Sequence, residues 1–304
     1  MSAESAVERP PGTGRTASGR LVVGYEGGDT GHDAITFANR WAAAAGDEVN
    51  VVTVHPGGAP LGADAEWVAY EREEADKLLA DAQALVADGV RASFQRVNAG
   101  SAAHGLSDVV DPRDGEGVSM LVLGSRRTRG LRRTFPGSTA DRLLHGSAAP
   151  VTVVPWGYAE TDPGPLRAVA CAFVDTSDGH VALQHAVLIA QHLGARLAVL
   201  SVVPDTRVIP GLAEPRMISE SVQRQYRQSL DTAVAGLPAG VEVTAKLLPG
   251  PVVDALSDLS YDDCDLLVCG SRGYGPVRRV LLGGVSSRVV RHSKVPVVVT
   301  PRGD

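Results

Sequence analysis

The sequence predicts an α/β fold built from two tandem copies of one domain, each with a five-stranded parallel sheet. Short apolar runs alternate with segments whose apolar residues recur at helical spacing, which is typical of parallel strand–helix–strand units. The same order of elements occurs twice along 304 residues, a natural length for two domains. Because each half is long enough to bury a core of its own, we expect two complete domains.

The first half is predicted to begin with the strand Leu21-Val22-Val23-Gly24, which Gly27-Gly28 terminate. Apolar residues from Ala34 to Trp41 then recur at helical spacing and predict a helix. Alternating strands and helices follow, with strands at 49–54, 91–97, 120–123 and 151–154 and helices at 64–87, 104–110 and 138–144.

The second half repeats this order after a connection rich in proline and glycine. Its predicted strands are 169–173, 197–202, 241–247, 266–269 and 295–299, and its predicted helices are 180–193, 219–234, 252–260 and 285–291. Residues 1–19 hold almost no large apolar side chain, so we predict a disordered tail. The predicted domains therefore span 20–156 and 166–301, with a linker at 157–165.

An internal repeat in the residues themselves supports this division. Val122-x-Gly124-Ser125-Arg126 recurs 146 residues later as Val268-x-Gly270-Ser271-Arg272. At the same offset, Gly137 matches Gly283. A period this long indicates duplication of a domain, since solenoid repeats are much shorter.

Composition argues against several classes of function. A formal net charge of −6 provides no basic surface for nucleic acid. No segment reaches the roughly 18 apolar residues of a membrane span, and no apolar signal segment opens the chain. The cysteines Cys171, Cys264 and Cys269 lack a C-x-x-C spacing and are predicted to be buried reduced thiols. We expect a cytoplasmic protein without a nucleic-acid or membrane partner.

A glycine-rich loop in the second half has the character of a phosphate cradle. The apolar strand 266–269 opens into Gly270 and Gly273, and Gly283-Gly284 arrive just before a helix. Glycines allow close approach of the backbone, and a helix N-terminus offers free N–H groups with a positive dipole. In open parallel sheets, ligands bind at this carboxyl end of the strands.

These residues resemble the universal stress protein family, whose signature is G-x2-G-x9-G-[ST]. The second half has Gly270-x2-Gly273-x9-Gly283-Gly284 and the first has Gly124-x2-Arg127-x9-Gly137-Ser138. The family's opening turn, usually V-G-V-D-G-S, is similar to Val23-Gly24-Tyr25-Glu26-Gly27-Gly28 and, one residue shorter, to Phe173-Val174-Asp175-Thr176-Ser177. The resemblance covers 20–156 and 166–301 and implies a Rossmann-like fold of the adenine-nucleotide alpha hydrolase-like type.

The resemblance also implies a bound ATP, held by an acidic residue after the first strand, a valine of the second strand and the glycine loop. Whether Mg²⁺ accompanies the nucleotide is left open. The implied binding residues of the second half are Asp175, Ser177, Val202, Cys269, Gly270, Gly273, Gly283, Gly284 and Ser286. Those of the first half, a weaker set, are Glu26, Val54, Gly124, Gly137 and Ser138.

The two halves are predicted to differ in affinity. Arg127 stands in the first loop where the second has Gly273, and a side chain there would occupy space that the phosphates need. The second half departs only at Gly284, where the family has a serine or threonine, and Ser286 and Ser287 lie nearby. We therefore expect the second half to be the better ATP site.

The favoured function is a nucleotide-responsive binding module that acts in stress response through an unknown protein partner. The alternatives are a slow ATPase or phosphotransferase and a scaffold that has lost its nucleotide. No nucleophile and base pair is identified, so no catalytic residue is assigned. The loop Glu26-Gly27-Gly28-Asp29-Thr30 resembles that of ATP pyrophosphatases but lacks one residue, which makes it a minor alternative.

Two further expectations concern histidines and strand edges. His180, His185 and His192 recur at intervals of five and seven, which does not suit a helical metal-ligand pair, so we expect solvated or capping roles and no metal. The apolar last strands, 151–154 and 295–299, would expose a sheet edge. We expect another domain copy to cover them, either in a homodimer or by pairing of the two halves.

Overall fold

A computed structural model describes residues 19–56, 65–110, 119–127, 134–161, 164–203, 215–271 and 284–301. The predicted binding residues Gly273 and Gly283 lie outside these ranges. The first half contains β1 (Arg20–Gly24), α1 (Gly28–Ala45), β2 (Glu48–Pro56), α2 (Ala65–Leu85), β3 (Ala92–Ala99), α3 (Ala102–Val109), β4 (Ser119–Gly124), β5 (Arg126–Arg127), β6 (Thr134–Phe135), α4 (Gly137–Gly146) and β7 (Val151–Val154).

After a short 3-10 helix, Tyr158–Glu160, the second half repeats the order of the main elements. It contains β8 (Ala168–Ala172), α5 (Ser177–Leu193), β9 (Arg196–Val203), α6 (Pro215–Ala235), β10 (Val243–Pro249), α7 (Val252–Ser257), β11 (Leu266–Gly270), α8 (Gly284–His292) and β12 (Val297–Thr300). The predicted α/β fold in two tandem copies is confirmed.

The main strands form one sheet in the order β10-β9-β8-β11-β12-β7-β4-β1-β2-β3. Each half contributes five parallel strands, and the halves meet where β12 pairs antiparallel with β7. Val297 lies opposite Val153 and Val299 opposite Val151. The expectation that another domain copy covers these apolar last strands is confirmed, and the copy is the other half of the same chain.

Strand order places a crevice near the centre of each half. The chain runs from β1 outward to β2 and β3, then returns to the other side of β1 with β4. The second half reverses in the same way between β8 and β11. Ligands of open parallel sheets bind at the carboxyl ends of the strands beside such a reversal.

One apolar core extends through both halves on one face of the sheet. Phe37 and Trp41 of α1 and Ile189 of α5 are fully or almost fully buried in it. Burying a large apolar side chain contributes roughly 1.5–3 kcal/mol, so α1 and α5 are strongly fixed on the sheet. The first turn of each helix is thereby held against the crevice.

The predicted linker is folded rather than loose. The carboxylate of Asp33 accepts hydrogen bonds from the backbone N–H groups of Gly157, at 2.9 Å, and Ala159, at 2.7 Å. Burial raises the pKa of Asp33, and these two donors offset only part of that rise. Tyr158 is buried against Phe37, with ring centroids 6.0 Å apart. The connection is therefore anchored to α1.

The structure adds one local feature and corrects one expectation. Part of the loop between β4 and α4 forms a small hairpin, in which Arg126 pairs with Phe135 and Arg127 with Thr134. His192 is buried rather than solvated, and its Nε2 lies 2.7 Å from the carboxylate of Asp47 in the first half. The Asp47 carboxylate also accepts a hydrogen bond from the Trp41 indole, at 2.8 Å.

All three cysteines are free and buried, as predicted. Across the part of the chain that the structure describes, no helix is long and apolar enough to span a membrane.

Candidate functional site

The first half has a cavity of about 170 Å³ at the carboxyl ends of β1, β2 and β4. All five residues predicted for this half line it, namely Glu26, Val54, Gly124, Gly137 and Ser138. Apolar walls come from Val52 on β2, Leu106 on α3 and Leu123 on β4. A flat apolar group would fit these walls, with polar groups at the rim.

The N-terminus of α4 forms one rim of this cavity. The N-cap, Pro136, makes no side-chain hydrogen bond to the helix, and no acidic residue lies in the first turn. Gly137 has φ +81° and open space where a Cβ would lie. The first turn of this helix therefore lines the cavity without a side-chain cap, an arrangement that suits an anion.

Gly124 is required for a reason that the sequence did not reveal. A Cβ on this residue would lie 1.9 Å from the backbone oxygen of Thr30, in the first turn of α1. The glycine thus lets α1 pack directly over the end of β4. Because Thr30 also lines the cavity, this close packing shapes the site even before any ligand is present.

Glu26 and Arg126 form an ion pair at the rim, with Oε1 and Nη2 2.5 Å apart. Both side chains are more than half exposed, at 58% and 62%. The hydrogen bond from Arg126 to this carboxylate raises the pKa of Arg126 further above its ordinary value. An exposed pair of this kind contributes about 0–1 kcal/mol, so it can be exchanged for other partners at small cost.

The second half has a cavity of about 70 Å³ at the equivalent place. Four of its predicted residues line it: Val202, Cys269, Gly270 and Ser286. Gly284 is exposed at the start of α8, and the predicted binding residues Gly273 and Gly283 lie outside the described residues. The remaining lining is mostly apolar, from residues such as Phe173, Leu200 and Leu256.

The structure corrects the place of the acidic residue in the second half. Gly24 pairs with Val52 and Ala172 with Leu200, and the two helices that follow end at Gly46 and Gly194. Each of these first-half residues lies 148 positions before its counterpart in the second half. Neither opening turn is therefore shorter than the other.

Val174 is therefore the equivalent of Glu26, and it lines the second cavity. Asp175 is not among the described lining residues, and its carboxylate faces His180 at 2.9 Å. That hydrogen bond lowers the pKa of Asp175. Ser177, the first residue of α5, is also exposed outside the described lining. The sequence alignment of this turn was wrong by one residue.

Ser286 and Cys269 have roles within the fold. The Ser286 hydroxyl donates a hydrogen bond to the backbone oxygen of Gly270, at 2.7 Å, and so ties α8 to the end of β11. Burial raises the pKa of the Cys269 thiol to about 12. The thiol is therefore protonated at neutral pH and forms part of the cavity wall rather than a nucleophile.

A second, outer cavity of about 380 Å³ adjoins the first-half site, and sequence reasoning missed it. Its described lining is Glu26, Gly27, Asp29, Thr30, Arg126 and Trp156. Trp156 follows β7 at the end of the first half, more than a hundred residues after α1 begins. No local pattern could have associated it with the site. Among the residues that the structure describes, no group of three or more histidines, cysteines and carboxylates is placed to hold a metal ion.

Comparison with known proteins agrees with the fold and the repeated motif. The model of the Universal stress protein family matches residues 18–155 and 166–301. Universal stress protein Rv2319c of Mycobacterium tuberculosis is 30% identical over 294 residues, which cover 92% of this chain and 99% of that protein. A universal stress protein of Mycolicibacterium smegmatis is 31% identical over 190 residues, covering 61% of this chain and 63% of the relative.

Solved structures show the same architecture. A universal stress protein from Archaeoglobus fulgidus superposes with a TM-score of 0.60 at 18% identity, covering 94% of this chain and 97% of that one. The functionally unknown protein PA1789 from Pseudomonas aeruginosa gives a TM-score of 0.61 at 16% identity, covering 95% and 94%. At these identities the likeness concerns the fold alone. With family domains in both halves, the chain belongs to the universal stress protein family as a tandem, two-domain member.

Proposed function

We propose that this protein is a cytoplasmic ATP-binding module whose nucleotide occupancy regulates contact with a protein partner. One observation carries the proposal: a carboxylate, an uncapped helix N-terminus and apolar side chains line the same first-half cavity. This arrangement offers acceptors for a ribose, donors for phosphates and surface for a base, which are the three needs of a nucleotide.

The residues of the first half divide these tasks by their chemistry. Glu26 would accept hydrogen bonds from ribose hydroxyls. Gly137 and Ser138 would donate backbone N–H groups, and Ser138 also its hydroxyl, to phosphate oxygens. Val54 and its apolar neighbours would contact the base. If Mg²⁺ enters with ATP, it would remain on the phosphates, since Mg²⁺ usually keeps several waters.

The second half is proposed as a further nucleotide site of different composition. Val202, Cys269 and Gly270 would form its wall, with Gly273, Gly283 and Gly284 receiving the phosphates. Val174 provides no carboxylate for the ribose, so this site would depend more on its glycine loop. The two halves would then bind nucleotide by different means.

We propose binding rather than turnover as the function. No side chain of the described first-half lining pairs a nucleophile with a base, and the thiol in the second cavity is protonated. We expect a steady-state ATPase rate well below about 1 s⁻¹, the lower end of ordinary enzymes. A rate near that value in purified protein, removed by Glu26→Gln, would favour the slow ATPase alternative.

The proposal is tested by filling each cavity separately. Val54→Trp and Val202→Trp should each remove one binding event for ATP in calorimetry, because each side chain lines one cavity. Leu188→Trp is the matched control, since Leu188 is 55% exposed on α5. Mass spectrometry of nucleotide released from the purified protein would identify the natural ligand. Wild-type protein that binds no nucleotide at millimolar concentration would refute the proposal.

A further inference from the structure

The inner and outer cavities of the first half meet at an ion pair. Glu26, Thr30 and Arg126 line both cavities, so the Glu26–Arg126 pair stands at their boundary. Any ligand that extends from the inner cavity to the outer one must pass these two side chains. The outer cavity, at about 380 Å³, has room for more than a water molecule or a single small ion.

The small hairpin brings Arg126 close to the helix N-terminus that would receive phosphates. β5 pairs with β6 so that Arg126 lies opposite Phe135. Gly137, the first residue of α4, follows Phe135 by two positions. A phosphate chain that begins at α4 and leads toward the outer cavity would therefore meet the guanidinium next. Arginine suits this role because its planar fork matches phosphate oxygens.

We propose that the first-half site selects nucleotides by their number of phosphates, with Arg126 exchanging Glu26 for the outer phosphates of ATP. This inference rests on the proposed nucleotide-binding function. The exposed pair is cheap to break, and the exchange frees Glu26 to accept from the ribose. A monophosphate fills only the inner cavity and leaves the pair intact, so it gains nothing from Arg126.

The charges of the outer cavity add a second requirement. Asp29 also lines it, and its carboxylate repels a bare triphosphate. The uncapped N-terminus of α1, which begins beside Gly27, offsets part of this repulsion. ATP should therefore bind better as its Mg²⁺ complex than alone, whereas AMP should respond little to Mg²⁺.

The test compares AMP, ADP and ATP through the fluorescence of Trp156, which lines the outer cavity. Trp156→Phe identifies its signal against those of Trp41 and Trp67. We expect wild type to bind Mg·ATP about tenfold more tightly than AMP, and Arg126→Gln to remove that preference by weakening Mg·ATP much more than AMP. Glu26→Gln should increase the preference, since it removes the competing carboxylate and keeps an acceptor for the ribose.

Arg96→Gln is the matched control, because Arg96 forms a similar exposed ion pair with Asp76 on another surface. It should leave all three affinities unchanged. The inference is overturned if Arg126→Gln weakens AMP and ATP equally, or changes neither. If wild type binds neither AMP nor ATP in this half, the inference and the proposed site of this half both fail, and the proposed function then depends on binding in the second half, which Val202→Trp tests. Binding that ignores phosphate number leaves the proposed function intact and refutes only the role of Arg126.

Discussion

The two halves are alike beneath the cavity and different at its surface. In the first half, the hydroxyl of Thr53 donates to the backbone oxygen of Tyr25, at 3.1 Å. In the second half, Ser201 donates to Phe173 in the same way, at 2.9 Å. The residues at and beside the cavity differ between the halves: Glu26 corresponds to Val174, and Ser138 corresponds to Gly284, which is exposed at the start of α8. In the loops, Arg127 corresponds to Gly273.

The two halves therefore differ at the cavity-lining positions and agree in the packing beneath them. The packing of sheet and helices is shared, since an altered contact there would cost stability in either copy. At these positions the first half has the carboxylate of Glu26 and the hydroxyl of Ser138, whereas the second has Gly273 as the second glycine of the loop.

Contact between the halves is also asymmetric. Asp47 and His192 form a buried pair, with side chains 0% and 5% exposed. The positions related to them by the 148-residue offset are Ala195 and Ala44, which cannot form a second pair. Asp33 anchors the linker, and its equivalent is Val181. A chain with the two halves in the opposite order would therefore not form the same contacts between them.

The largest expected effect comes from breaking this buried pair. Asp47→Asn should lower the free energy of unfolding by about 3–5 kcal/mol, because it leaves His192 and the Trp41 indole without a charged acceptor. Chemical denaturation measures the loss. Asp76→Asn is the control, since its exposed pair with Arg96 should contribute about 0–1 kcal/mol. Equal effects of the two substitutions would show that the buried pair has no special weight.

The same pair predicts an acid dependence. Burial tends to raise the pKa of Asp47, but hydrogen bonds from His192 and Trp41 outweigh it and lower the pKa below its ordinary value. A depressed pKa means that the stabilisation is present above the unfolded pKa, about 3.9, and is lost as pH falls through the folded value. Measured between pH 7 and 3, the free energy of unfolding should therefore fall more steeply below pH 4 in wild type than in Asp47→Asn.

The glycine-loop difference predicts the next largest effect. At a hundredfold excess over its dissociation constant, ATP should stabilise a binding half by about 2.7 kcal/mol. Gly273→Arg should remove this stabilisation from the second half, since the side chain would occupy phosphate space. Arg127→Gly should leave it intact. The measurement is the melting temperature with and without ATP. If ATP raises the melting temperature of Gly273→Arg as much as that of wild type, the nucleotide binds elsewhere.

Exchanging the residues at positions 26 and 174 between the halves should have a smaller effect on ATP affinity. Glu26→Val should weaken ATP binding in the first half about tenfold, and Val174→Glu should strengthen it in the second by a similar factor. Each change gives one half the residue of the other. Calorimetry on the two single variants and the double variant separates the sites. Weaker binding in Val174→Glu would mean that the second half places its nucleotide differently.

The smallest expected effects concern the equivalent hydrogen bonds of Thr53 and Ser201 beneath the two cavities. Thr53→Val and Ser201→Ala each remove one buried hydrogen bond, so each should cost about 1 kcal/mol of stability. The two losses should be equal within the error of chemical denaturation, because the contacts are equivalent. A clearly unequal pair of losses would show that the halves differ beneath the cavity as well.

The alternation of strands and helices and the duplication were predictable from the sequence, because periodicity reports which residues are buried. That Glu26, Val54 and Gly124 lie in one site was implied by the family resemblance, and the fold brings them together because parallel strands end at one edge of the sheet. Element ends were predicted to within a few residues, because glycines and prolines mark them locally.

Which surfaces of the two halves and the linker contact each other could be learned only from the three-dimensional structure. Asp47 and His192 are 145 residues apart, and nothing in the sequence near either one shows that they meet. They form a buried pair because α1 and α5 pack side by side. The register of Val174, the docking of Tyr158 and the place of Trp156 likewise depend on neighbours distant in sequence. Hydrophobic periodicity records that a side chain is buried, but it contains no information about the partner that buries it.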